Sequence, residues 1–164
     1  MKLRIAAQLM MSVMFIVAGL VQAGDGHDGQ HAGDDRGMIS KKSVYDVKET
    51  LDRLETVLKK KGIAIVTRWS HDAGAKKVGI TLRPTELLLF GNPKLGSHLF
   101  TSNQTAGIDL PLKALAWEDE KGQVWLTYND PSYIVNRHDI ADRAEIVEKM
   151  TNALDKLTDA TIKP

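Results

Sequence analysis

The chain has 164 residues, with 22 basic and 21 acidic side chains and no cysteine. That length suits one domain rather than two. The near balance of charge excludes the one-signed field that nucleic acid or an anionic membrane would need. The lack of cysteine excludes disulfides, a thiolate metal site, a thiol nucleophile and the lipid-modified Cys of a lipoprotein.

The first predicted element is a targeting segment. Lys2 and Arg4 precede a mostly apolar run from Ile5 to Val21, and Val21-Gln22-Ala23 places an aliphatic residue and an alanine where a signal peptidase reads them. Residues 1–23 are therefore expected to be a signal peptide cleaved after Ala23, which makes the mature chain periplasmic or secreted, free of the membrane and not a lipoprotein. Without Lys2 and Arg4 the formal charge falls from +1 to −1. Residues 24–37, GDGHDGQHAGDDRG, hold no large apolar side chain and cannot offset the entropy of ordering them. They read as a flexible Gly/His/Asp linker. His27 and His31, with their aspartate neighbours, are candidate metal ligands. Their i, i+4 spacing helps only on a helix, and Gly26, Gly29 and Gly33 argue against one.

Residues 38–164 read as a single domain. Met38 to Lys42 is a short strand. Ser43 is placed as an N-cap, with Asp46 completing a capping box. Val44, Val47, Leu51, Leu54 and Leu58 then form one apolar helical stripe. Lys59, Lys60 and Lys61 complement the carbonyl end of that helix, and Gly62 ends it. Ile63 to Trp69 is a strand and His71 to Val78 a short helix. Glu86 to Phe90 is a buried central strand stopped by Gly91-Asn92-Pro93, and Leu95 to Ser102 gives one or two helical turns. Leu110–Glu118 and Gln123–Asn129 pair as a hairpin about Asp119–Gly122. The last helix starts near Asp142, capped by Asp139 or Asp142, with Ile146, Met150, Ala153 and Leu157 on its stripe. The order β-α-β-(α)-β-(α)-β-β-α predicts an α+β fold. Its sheet is mixed or mostly antiparallel, contains the hairpin centrally, and is packed by the N-terminal and C-terminal helices.

Four stretches share one pattern: Glu86-Leu-Leu-Leu-Phe-Gly-Asn-Pro-Lys94, Gly107-Ile-Asp-Leu-Pro-Leu-Lys113, Trp117-Glu-Asp119 with Gly122, and Trp125-Leu-Thr-Tyr-Asn-Asp-Pro131. With the helix before Gly62 and His71 after the second strand, the region from about Met38 to Leu157 resembles the domain of unknown function 302 family. The resemblance implies an α+β fold and no established reaction, substrate or catalytic residue.

The residues able to carry chemistry sit at predicted strand ends. Asn92 and Lys94 leave a strand through a tight turn where backbone N–H groups could hold an anion; a plain strand-to-helix turn uses the same residues. His71, followed by Asp72, could act as a general base or simply begin a helix. Asp109 and Lys113 read as a charge pair or as the flank of a cleft. Asp130 is turn chemistry first, with a conceivable carboxylate partner in Glu86. His138 could join His71 only if the fold brings them together. Trp69, Trp117 and Trp125 read as core and hairpin packing, with a ligand-stacking platform as the alternative. There is no zinc-binding helix motif, nucleophile elbow or dinucleotide fingerprint, and no cofactor is expected.

These observations favour a non-catalytic exported module that binds a small anionic ligand or a partner protein of the envelope, through Asn92, Lys94, His71 and Lys113. An enzyme using His71 with Asp109 or Asp130 is the first alternative, and metal handling through His27 and His31 the second. An exposed strand edge would permit a homodimer by sheet extension.

Overall fold

The alternation of inward and outward side chains along the strands decides the architecture. The computed structural model describes residues 36–164; the readings for the signal peptide, its cleavage site, most of the linker, and His27 and His31 lie outside the described residues. The elements are β1 (Met38–Ser43), α1 (Val47–Lys60), β2 (Ala64–Ser70), α2 (His71–Lys77), β3 (Thr85–Gly91) and α3 (Pro93–Ser102). A 3-10 turn (Gln104–Ile108), β4 (Leu112–Glu118), β5 (Val124–Asn129), α4 (Pro131–Arg137) and α5 (Ala144–Ile162) follow. The five strands form one sheet in the order β1-β5-β4-β3-β2, every neighbouring pair antiparallel. This is the α+β single domain expected from the sequence.

One face of the sheet is buried. Ile39, Val124, Leu126, Tyr128, Ala114, Ala116, Leu88 and Phe90 point into it. They meet Val47, Leu51, Leu54 and Leu58 of α1 and Leu154, Leu157 and Ile162 of α5. The stripe on α1 is sealed with no exposure at Leu51, Leu54 and Leu58, and each such leucine contributes roughly 2–5 kcal/mol against truncation to alanine. A second core joins Leu99 of α3, Ala106, Leu110, Ile134, Val135, Ile140 and Met150 beyond the sheet end.

Two charged side chains fasten helices to this sheet. Lys41 of β1 is buried and its Nζ donates to Asp155 Oδ1 at 2.7 Å, Asp159 Oδ1 at 2.6 Å and the Asp155 carbonyl at 3.1 Å, all on α5. Arg68 of β2 donates to Glu86 on β3 and to Asp52 on α1, each at 2.6 Å.

Several boundaries differ from the sequence reading. The N-cap of α1 is Asp46, which accepts from Glu49 N–H at 2.7 Å; Ser43 ends β1 and bonds Thr50 instead, and Val44 is exposed. Both residues fit the capping pattern, and the pairing of Ser43 with Val124 settles which one caps. The α5 helix starts at Ala144 with neither Asp139 nor Asp142 as its cap. Asp139 takes a left-handed backbone (φ 52°), and Asp142 bonds Ser102 and Arg143. Asp130-Pro131 opens α4, a helix that the sequence reading left as a turn. Trp117 and Trp125 pack the hairpin as read, stacking across β4 and β5 at 6.4 Å between rings, but on the face opposite the core, and Trp69 is exposed rather than core.

Two glycines share a left-handed backbone but not an environment. A Cβ on Gly37 (φ +72°) would lie 2.1 Å from the Tyr133 ring, whereas one on Gly62 (φ +69°) would meet nothing within 4 Å. Gly62→Ala is expected to cost about 1 kcal/mol of unfolding free energy from backbone strain alone. Gly37→Ala should cost roughly 2–3 kcal/mol, because the Tyr133 ring and α4 must also move. Equal losses in paired urea titrations would contradict the steric reading.

Candidate functional site

At the end of the sheet where β3 runs into α3, the side chains leave a gap. It is a cavity of about 460 Å³ between β2, β3, α3, the 3-10 turn and α5. Ligand pockets run from about 300 to 1,000 Å³. Ile63, Phe90, Leu112, Leu154 and Leu157 form its floor on the sheet and α5. Pro93, Leu95, Phe100, Leu110 and Pro111 close the other side.

Local sequence explains why the gap exists. Ile65 pairs with Phe90 and Thr67 with Leu89, so Val66 is the extra residue of a bulge, and its side chain turns to the cavity wall instead of the ladder. Gly96 of α3 and Gly107 of the 3-10 turn face the Phe100 ring, whose nearest atoms lie 4.0 and 3.9 Å from where a Cβ would be. Small residues on both sides of one aromatic ring leave room that larger ones would fill. Val66 (59% exposed) and Phe100 (37% exposed) stand at the mouth.

The polar side chains in the lining are Asn92 and Ser97. Asn92 Oδ1 caps α3 by accepting from Lys94 N–H at 3.0 Å, which leaves its amide nitrogen without a protein partner among the described residues. Around this apolar wall the sequence is basic. Lys94 lies between the lining residues Pro93 and Leu95, Lys60 and Lys61 lie just before Ile63, and Lys156 precedes Leu157. All four are exposed and carry no ion pair among the described residues.

The remaining candidates divide between the two ends of the sheet. Asn92, Lys94, Asp109, Lys113 and Asp130 lie at the end shared with the cavity. His71 lies at the other, because Ser70 pairs with Glu86 while Ile65 pairs with Phe90, about 13 Å further along β3. His71 is exposed, and Asp72 does not orient it: the Asp72 carboxylate accepts from Ser70 Oγ and Thr85 N–H, which hold it below the usual carboxylate range. Asp130 caps α4 by accepting from Ser132 N–H at 2.8 Å. Glu86 is held by Arg68 at the far end, so it has no contact with Asp130. Lys113 Nζ donates to the Asp109 carbonyl at 2.9 Å, not to its carboxylate.

The side chain that meets Asp109 is His138. Its Nε2–H donates to Asp109 Oδ2 at 2.7 Å, both groups are buried, and Arg137 Nη1 donates to Asp109 Oδ1 at 3.1 Å. The other ring nitrogen lies 2.8 Å from Thr105 Oγ1, and Asn103 Nδ2 donates to the His138 carbonyl at 2.8 Å. The network ties the 3-10 turn to α4. Asp109 ends the 3-10 turn and His138 ends α4, and no sequence signal announced their pairing, since they are 29 positions apart. No group of three or more His, Asp or Glu side chains that could hold a metal occurs among the described residues.

Comparison with known proteins agrees with the fold. The family model described as "Domain of unknown function DUF302" matches residues 39–157. A solved structure, an uncharacterized conserved DUF302 protein from Bacillus stearothermophilus, superposes with a TM-score of 0.70. It is 21% identical, over 76% of this chain and 98% of that one. Two relatives are named fluoride-specific ion channels: FluC 1 of Brucella suis biovar 1 (strain 1330) and FluC 2 of Brucella melitensis biotype 1. Each is 44% identical over 115 residues, 70% of this chain. The match spans 45% and 43% of those proteins, so this chain corresponds to less than half of either.

Proposed function

Since the chain belongs to the DUF302 family, whose description carries no activity, we propose a function from the cavity itself: a non-catalytic, exported module that holds a small amphiphile. The apolar part would sit among Phe90, Leu95, Phe100, Leu112 and Met150, and an anionic head would lie at the rim, near Asn92 and Lys94. The observation that carries this reading is an open, apolar space of about 460 Å³ whose flanking lysines carry no ion pair among the described residues. Burying apolar surface there would supply roughly 25 cal/mol per Å² toward binding.

The relatives' names do not redirect this reading to fluoride. A small hard anion loses its hydration on binding and needs several N–H or O–H donors in return. Asn92 and Ser97 are the polar side chains of the lining. A channel also needs a membrane-spanning part, and no helix among the described residues is long and apolar enough to cross a membrane. The shared stretch is read as a module beside the channel's own machinery.

Catalysis is the weaker reading because His71 stands at the opposite end of the sheet from Asp109 and Asp130, beyond the hydrogen-bond reach that acid–base work requires.

The test is occlusion of the cavity. Gly96→Leu places a side chain against Phe100 inside the gap. It should abolish binding of a medium-chain fatty acid measured calorimetrically, with the melting temperature unchanged or raised, since a helix-interior glycine costs about 0.5–1 kcal/mol. Lys94→Glu should weaken a fatty acid more than the matching fatty alcohol. Undiminished binding in Gly96→Leu would remove the cavity from the account.

A further inference from the structure

Among the described residues, neither core reaches the sheet face turned away from α1 and α5. Trp69, Leu87 and Leu115 form one row across β2, β3 and β4, and Thr85, Trp117 and Trp125 form the next across β3, β4 and β5. None of these side chains is buried, whereas Leu88, Ala114, Ala116, Val124 and Leu126 on the other face are. Val78, Ile80 and Leu82, in the loop leading into β3, are exposed as well. Contiguous apolar surface of this kind marks an interaction site.

We propose that this face is a homodimer interface whose occupant is a second copy of the chain, packed sheet on sheet. Four observations select that occupant. Residues 24–35 contain no apolar side chain larger than alanine, so the linker has nothing with which to cover the face. The charged side chains on it among the described residues are Lys42, set over the Trp125 ring at 5.6 Å, and Lys113, turned to the Asp109 carbonyl, with Asp119 at its edge accepting from Trp125 Nε1 at 2.9 Å. A face with so little charge offers no handle to a strongly charged partner and suffers little repulsion against itself. Its bulk is uneven along the strands: Trp117 and Trp125 stand at the hairpin end, and Thr67 and Leu89 at the other. A two-fold axis in the plane of contact sets the tall half of one copy on the low half of the other, as an isologous interface requires. Finally, five strands of six or seven residues cover about 500 Å² per copy, or about 1,000 Å² in total, the size at which specific interfaces begin.

This inference does not depend on the amphiphile reading, since cavity and face lie on different surfaces of the sheet. Protein expressed from the whole sequence and purified from the envelope fraction is expected to sediment as a dimer at micromolar concentration. Leu115→Glu buries a charge near the axis in each copy and should weaken association by about 100-fold. Because the chain is cysteine-free, Leu115→Cys supplies a single thiol, and a short bismaleimide should cross-link it to a dimer. Three results would each overturn the proposal. They are a monomer up to hundreds of micromolar, a dimer that Leu115→Glu leaves intact, and a monomer that binds neutral phosphatidylcholine vesicles through this face.

Discussion

Replacing Asp155 and Asp159 together by asparagine should destabilise the protein by about 3–5 kcal/mol, the cost of leaving a buried ammonium without its counter-charges. Lys41 has a side chain only 1% exposed, and both aspartates that hold it come from one face of α5. The reverse change is far milder. Lys41→Met leaves two carboxylates that are 45% and 41% exposed and can return to water, so its loss should stay near 1 kcal/mol or vanish. Urea titrations of the two variants measure the asymmetry, and a Lys41→Met loss as large as that of the double asparagine variant would refute it.

The same site fixes an alkaline limit. Burial pulls the Lys41 ammonium down, but the bonds from Asp155 and Asp159 outweigh it, and the group is held above its ordinary value of 10.5. Burial raises the Tyr128 hydroxyl above 10.0, with the Lys41 charge opposing. Both groups bind their protons more tightly folded than unfolded. The stability they add is therefore complete below about pH 10 and lost as pH climbs through the folded values. Thermal unfolding followed from pH 8 to 11 should show a decline confined to the top of that range, and smaller in Lys41→Met.

Asp109→Ala is the second large effect, at about 2–4 kcal/mol. The carboxylate accepts from His138 and Arg137 while only 8% exposed, and its removal leaves a buried ring N–H without an acceptor. Asp109→Asn retains an acceptor oxygen and should lose about half as much. Because the network joins the 3-10 turn to α4, Asp109→Ala should also loosen Gly107 and Leu110 in the cavity wall. Amide exchange across residues 104–110 that matches the wild type would sink that link.

Much of the fold was legible from local chemistry. The spacing of Leu51, Leu54 and Leu58 determined both that α1 is a helix and which side is buried. The turn at Asp119–Gly122 determined the hairpin, because Gly122 takes φ 76° and the Asp119 carboxylate accepts from the N–H groups of Lys121 and Gln123. These features depend on contacts within a few residues, which periodicity and turn chemistry report directly. The apolar alternation of β4 and β5 also announced one buried face and, by its period of two, set Trp117 and Trp125 on the other; it did not say that α1 and α5 would both pack on the first.

The site was legible only in pieces. Asn92 and Lys94 were visible as a strand-to-helix turn, and Asp109 as a lone carboxylate. What none of them announces is the antiparallel pairing of β2 with β3 and of β3 with β4, which sends His71 to one end of the sheet and gathers Asn92, Lys94, Asp109 and Lys113 at the other. The cavity is still less local, because it is a space left by two glycines and a bulge at Val66 between the sheet, α3 and α5. The helices, the hairpin and the polarity of each face follow from interactions short enough to be written in neighbouring residues. Tertiary structure alone decided which polar groups meet and where packing leaves a gap, because those depend on how segments far apart in the chain come together.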